Sequence, residues 1–130
     1  MKKLGFPLQY ANLATAPFDV VSDGIRGMRG TMLDMYRNPE ELKKMIDMFT
    51  QPCINSSILL GKMYPHLKVV GIFLHRGADS FMSNKQFEEF YWPSLTKVMD
   101  ELIKNNFIPM PFYKGGYNDR LEYLADFAKK

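Results

Sequence analysis

The chain has 130 residues, 46% of them hydrophobic and 24% charged, which is the length and make-up of one globular domain able to bury a core. Its net charge is +3, and the basic residues are interspersed with acids rather than gathered in a stripe, so no nucleic-acid partner is expected. No apolar run approaches the roughly 18 residues that would cross a bilayer, so no membrane partner is expected either.

The opening MKKLGFPLQYANLATA has two lysines and a small-residue end, but Pro7, Gln9, Tyr10 and Asn12 interrupt what would have to be an apolar signal segment. It reads as part of the fold, with a strand and polar loop over residues 7–16. Pro17 suits the first turn of a helix running to about Gly27, and RGMRG (26–30) reads as a loop. TMLDMYRN (31–38) begins helically. Asn38-Pro39-Glu40-Glu41 then starts a new helix, with Asn38 as N-cap and Pro39 at the first helical position. Leu42, Met45, Ile46 and Phe49 recur at helical spacing until Pro52 interrupts them, and helix resumes through SSILLGKM.

KVVGIFLH (68–75) is β-branched and aromatic, a buried strand. Ser83-x-x-Gln86 is a capping box that opens the next helix, and Pro93 inside that helix predicts a kink or a restart. Asn105-Asn106 ends it. FIPMPFY (107–113) reads as a third strand whose two prolines would cost ladder bonds in a central position. A glycine turn and a final amphipathic helix follow. The order β-α-α-β-α-β-α, with long helical crossovers, implies an α/β fold and a parallel sheet of about three strands.

Strand C-terminal ends share one edge in such folds, and sites form there. Two adjacent loops would bring together His75, Arg76, Asp79, Tyr113 and Lys114, with Asn12, Asp23 and Arg26 from beyond the first strand. Arg76 and Lys114 suit a carboxylate-bearing substrate, Asp79 can balance them or handle protons, Tyr113 can donate a hydrogen bond, and an imidazole such as His75 can carry a proton. Each also has a structural reading: Asp79 as a turn residue, His75 as a satisfied strand end, Arg76 as the ion-pair partner of Asp79. A single cysteine, Cys53, excludes an internal disulfide and suits a reducing cytoplasm, the expected location. One thiol and two histidines do not complete a closed zinc site, so no metal is expected and Cys53 reads as a small buried hydrophobe.

GADSFMSNKQFEEFYWPSLTKVMDELIKNNFIPMPFYKGGYNDRLEYL, with Ala16-Pro17-Phe18 and Arg37-Asn38-Pro39-Glu40 upstream, resembles the uroporphyrinogen decarboxylase superfamily. The most specific piece is FEEFYWP, and the resemblance runs through about Ala16–Leu124. It implies that residues 1–130 are part of a (β/α)8 TIM-type barrel, with open strand edges, an uncovered interior face and self-association through those edges. It also implies a carboxylated substrate, possibly a tetrapyrrole in porphyrin biosynthesis, decarboxylated without a cofactor.

The superfamily's other branch moves methyl groups to or from corrinoids with a zinc-activated thiol. Its His and Cys ligands would fall at Tyr113 and Gly115, whereas Phe112-Tyr113-Lys114-Gly115 resembles the decarboxylases' F-x-K-G. The decarboxylases' substrate-contacting tyrosine aligns with Asp23 and their serine with about Gly77, so no catalytic residue transfers directly. A methyltransferase relative without zinc ligands, or a non-catalytic fragment, is the alternative.

Overall fold

A computed structural model describes Gly5 and residues 8–129. The part of the first-strand reading that falls on Pro7, most of the MKKLGF start and the final Lys130 lie outside the described residues. Three strands, β1 (Asn12–Thr15), β2 (Val69–Leu74) and β3 (Ile108–Tyr113), form one parallel sheet in the order β1-β2-β3. The fold is α/β, consistent with part of a TIM-type barrel. Among the described residues six α-helices lie between and after the strands: α1 (Pro17–Val20), α2 (Met28–Arg37), α3 (Pro39–Lys62), α4 (Asn84–Gln86), α5 (Trp92–Lys104) and α6 (Leu121–Phe127). Two five-residue π-helical turns, Val21–Ile25 and Phe87–Tyr91, extend α1 and join α4 to α5.

Alternation along the strands divides the sheet into two faces. Val70, Ile72 and Leu74 of β2 are fully buried in the core that α1, α3 and α5 complete. Leu13, Phe73, Met110 and Phe112 fall on the opposite face and are 37–57% exposed. Phe73 and Phe112 sit side by side in register, their rings 5.7 Å apart, and Leu13 folds over Gly71, where a Cβ would come within 2.9 Å of it. Tyr10 also lies over Gly71 on this face, and the four apolar side chains remain partly open to solvent.

The prolines of β3 do not break its pairing. Ile108 donates to Lys68 and Lys114 to Leu74, so the even-numbered residues turn their backbone toward β2. Pro109 and Pro111 therefore face the open edge, where no partner strand asks for an N–H.

Several local expectations change. RGMRG is a loop only at Arg26 and Gly27, where the +77° φ of Gly27 breaks the helix, and α2 begins at once with Met28. Gly30 lies within α2 and leaves room for the Arg26 side chain, 3.1 Å from where a Cβ would stand. Asn38 does not cap α3 with its side chain, because its Nδ2 donates to Asp34 instead, at 3.1 Å. Pro52 does not interrupt α3. It stands on the exposed side, while Ile46, Thr50, Ile54, Ser57 and Gly61 pack inward on both sides of it. At Pro93 the helix neither ends nor restarts: the π-helical turn Phe87–Tyr91 runs directly into α5, and Pro93 follows that widened turn within continuous helical backbone. The Ser83–Gln86 capping box is formed. Cys53 is half-buried in α3, and burial pushes its thiol pKa up, as expected of a packing residue.

Candidate functional site

The site lies at the C-terminal edge of the sheet, where the loop after β2 meets the loop after β3. Asp79 N–H donates to the Gly116 carbonyl at 2.8 Å, tying the two loops together. A pocket of about 340 Å³ opens beside them, lined by His75, Arg76, Ser80, Phe81 and Lys114 among others.

Asp23 organises the charged wall. Its Oδ2 accepts from His75 Nδ1 at 2.9 Å, and its Oδ1 accepts from Arg76 Nε at 2.9 Å and lies 2.8 Å from Nη2 in the same ion pair. The Ser22 hydroxyl donates to Oδ1 as well, at 3.1 Å. Partial burial works against the charge of Asp23, but the bonds from His75, Arg76 and Ser22 outweigh it and hold its pKa below the ordinary carboxylate value. An ionised Asp23 can only accept, so His75 carries its proton on Nδ1, and Nε2 has no partner among the described residues. The Arg76 guanidinium also lies over the Phe81 ring, 4.9 Å from its centroid. Arg76 is thus held by one edge and one face, while Lys114 is exposed and has no carboxylate partner among the described residues.

Beneath this wall sits Asp19, wholly buried in α1. Its Oδ2 accepts from His75 N–H and from the Tyr91 hydroxyl, both at 2.9 Å, and its Oδ1 from Arg76 N–H at 3.1 Å. Burial raises the pKa of Asp19, and those three bonds only partly offset it. Burial and the neighbouring Asp19 charge push Tyr91 well above an ordinary phenol, so it remains a donor.

Of the residues singled out in the sequence, Asp23, His75 and Arg76 form one cluster, and Lys114 joins His75 and Arg76 on the pocket wall. Arg26 does not reach it: its Nε lies 2.6 Å from Asp34, at the junction with α2. Asp79 faces the other way, 3.3 Å from Arg120 Nη1, and does not pair with Arg76. Tyr113 packs on Tyr117, ring centroids 4.9 Å apart, in an apolar groove of about 470 Å³ between β3, α5 and α6, where burial pushes its pKa up to about 12. Asn12 is spent on the Ser57 carbonyl, 2.6 Å away. Among the described residues no three of His, Cys, Asp and Glu gather where they could hold a metal ion.

Three residues that the sequence reading passed over prove central. Asp19 had a signal, a lone acid inside the apolar run APFDVV. Arg120 had one too, standing four residues before Leu124 and seven before Phe127 on an apolar helical face. It is fully buried, donates to the Gly77 and Met82 carbonyls and lies over Phe87, with 4.6 Å to the centroid. Tyr91 stood among aromatics, with nothing to mark it as polar in role.

The uroporphyrinogen decarboxylase family model matches residues 2–129. The chain belongs to the uroporphyrinogen decarboxylase family. A search of curated proteins finds no match. The glycine at position 77 has a physical cause. A Cβ on Gly77 would lie 2.6 Å from the Tyr91 ring and 2.8 Å from the Tyr117 hydroxyl, so these tyrosines occupy the space a side chain would need. No helix among the described residues is long and apolar enough to cross a membrane.

Proposed function

We propose that the pocket beside the loops after β2 and β3 binds carboxylates of a polycarboxylated substrate, a tetrapyrrole or a related compound, and that the family's cofactor-free decarboxylation is the reaction it serves. The observation that carries this reading is the pairing of two cations on one pocket wall: Arg76, fixed by Asp23 and Phe81, and Lys114, free of any carboxylate among the described residues. A guanidinium held along one edge meets a carboxylate with little loss of rotamer freedom, and Lys114 adds a mobile point charge.

Decarboxylation needs its carboxylates anchored while one C–C bond breaks and the carbon takes a proton in place of CO2. His75, with Nδ1 held by Asp23 and Nε2 without a partner among the described residues, is the group of this wall we assign to carry that proton. Family membership supports the reaction class. The methyltransferase alternative gains no support from residues 113 and 115, which are tyrosine and glycine.

The test is anaerobic incubation of the chain with uroporphyrinogen, followed by chromatography of the products. Stepwise appearance of hepta- to tetracarboxylate porphyrins above the protein-free control, reduced in Arg76→Ala, supports the reading. Product formation no faster than the control contradicts the catalytic half of it.

A further inference from the structure

Asp19 does not line the pocket, yet it holds the backbone from which the pocket's charged wall projects. β2 ends at Leu74, and the next two N–H groups, of His75 and Arg76, both go to this one carboxylate, at 2.9 and 3.1 Å. Successive N–H groups of an extended strand point to opposite sides, so their convergence on two oxygens of one residue fixes a turn immediately after Leu74. Asp19 and Asp23 stand four residues apart, across the start of the π-helical turn at Val21–Ile25. The first takes the main chain of residues 75 and 76 and the second takes their side chains. Both tethers of both residues therefore come from one helical segment.

We propose that Asp19 is a positioning residue: it sets the direction in which His75 and Arg76 leave the strand, and thereby their meeting with Asp23 at the pocket. The chemistry of the contact requires an acceptor-only group, because three donors converge on it. Asparagine would turn an NH2 toward one of them. The π-helical turn after Asp19 supports the same assignment, since such widened turns are found where a helix must re-aim side chains at a site. The functional half of this inference rests on the reading of the pocket as a carboxylate site. Its geometric half does not.

The experiment compares the full chain with Asp19→Asn and Tyr91→Phe by 1H–15N NMR and by titration with uroporphyrin, the oxidised octacarboxylate. In the unmodified chain the amide signals of His75 and Arg76 are expected downfield and the Arg76 Nε–H signal is expected to be visible, protected by Asp23. Asp19→Asn moves both amides upfield, loses the Nε–H signal and weakens uroporphyrin binding by about tenfold or more, as misplaced binding groups do. Tyr91→Phe keeps the carboxylate and both backbone bonds, so the Nε–H signal and the affinity stay close to those of the unmodified chain even as stability falls. That split separates positioning from a merely structural role.

If Asp19→Asn does not fold, Asp19→Glu moves the carboxylate by one methylene and is expected to shift the two amides and weaken binding. A folded Asp19→Asn or Asp19→Glu that retains the Arg76 Nε–H signal and full affinity overturns the proposal. If the unmodified chain does not bind uroporphyrin, the carboxylate reading fails, and the NMR signals alone still decide whether Asp19 positions Arg76.

Discussion

Asp23 grips Arg76 along one edge: its Oδ1 lies 2.9 Å from Nε and 2.8 Å from Nη2, which leaves Nη1 without a protein partner among the described residues. Preorganisation, not stabilisation, is the consequence. The Asp23 side chain is 31% exposed and that of Arg76 25%, so the pair contributes only about 0.2–1 kcal/mol after solvent screening. Asp23→Asn is therefore expected to leave the urea midpoint nearly unchanged while weakening uroporphyrin binding several-fold. A large loss of stability with unchanged binding would reverse the assignment.

The two aspartates of this segment predict opposite responses to pH. The pKa of Asp23 is depressed in the fold, so its contribution is complete above the unfolded value of about 3.9 and is lost as pH falls through the lower folded value. The pKa of Asp19 is raised because burial makes its ionisation costlier in the folded chain than in the unfolded one, so stability declines as pH rises from about 3.9 through the higher folded value, above which Asp19 is the carboxylate that accepts the three bonds. Denaturant titrations at several pH values check this. Asp23→Asn should flatten the decline on the acid side, and Asp19→Asn should flatten the decline on the rising side. The same slope change in both variants would contradict the assignment.

Gly77→Ser tests the packing that requires a glycine at this position. Its Cβ would meet the Tyr91 ring and the Tyr117 hydroxyl at distances below 3 Å, and both rings are locked in the core. The expected cost is about 1–3 kcal/mol of overpacking, read from the shift of the urea midpoint. A stability equal to that of the unmodified chain would mean that these tyrosines move aside freely.

How far the sequence reveals this arrangement depends on the kind of signal each residue leaves. Periodicity and capping located the three strands, the Ser83 start and the Pro17 start, because these depend on neighbours a few residues away. His75, Arg76 and Lys114 were legible as neighbours because they follow adjacent strands directly, and Asp23 because it follows the first. Partner choice was not legible. Whether Arg76 pairs with Asp79 or with Asp23 depends on how α1 sits above β2, 53 residues away in sequence. Nor can local rules reveal that Asp79 turns toward Arg120, since that contact forms only when the loop after β3 packs against the loop after β2.

Arg120 gives a prediction of larger size. Its guanidinium serves the Gly77 and Met82 carbonyls and faces Asp79, entirely out of water. Arg120→Met keeps much of the volume but leaves those acceptors unpaired. A loss of about 3–5 kcal/mol is expected, as for other broken buried pairs, with unfolding midpoints as the measurement. A loss below about 1 kcal/mol would mean that water reaches and satisfies the same groups.

The most direct test of the central claim is a fluorescence titration of uroporphyrin against the chain and its Arg76→Ala and Lys114→Ala variants, at two salt concentrations. The account predicts saturable binding by the unmodified chain, weakened by either substitution and by salt, with Arg76→Ala the more damaging because it removes the prealigned partner. Binding that ignores both substitutions, or no binding by the unmodified chain, would contradict the assignment of this pocket to carboxylates.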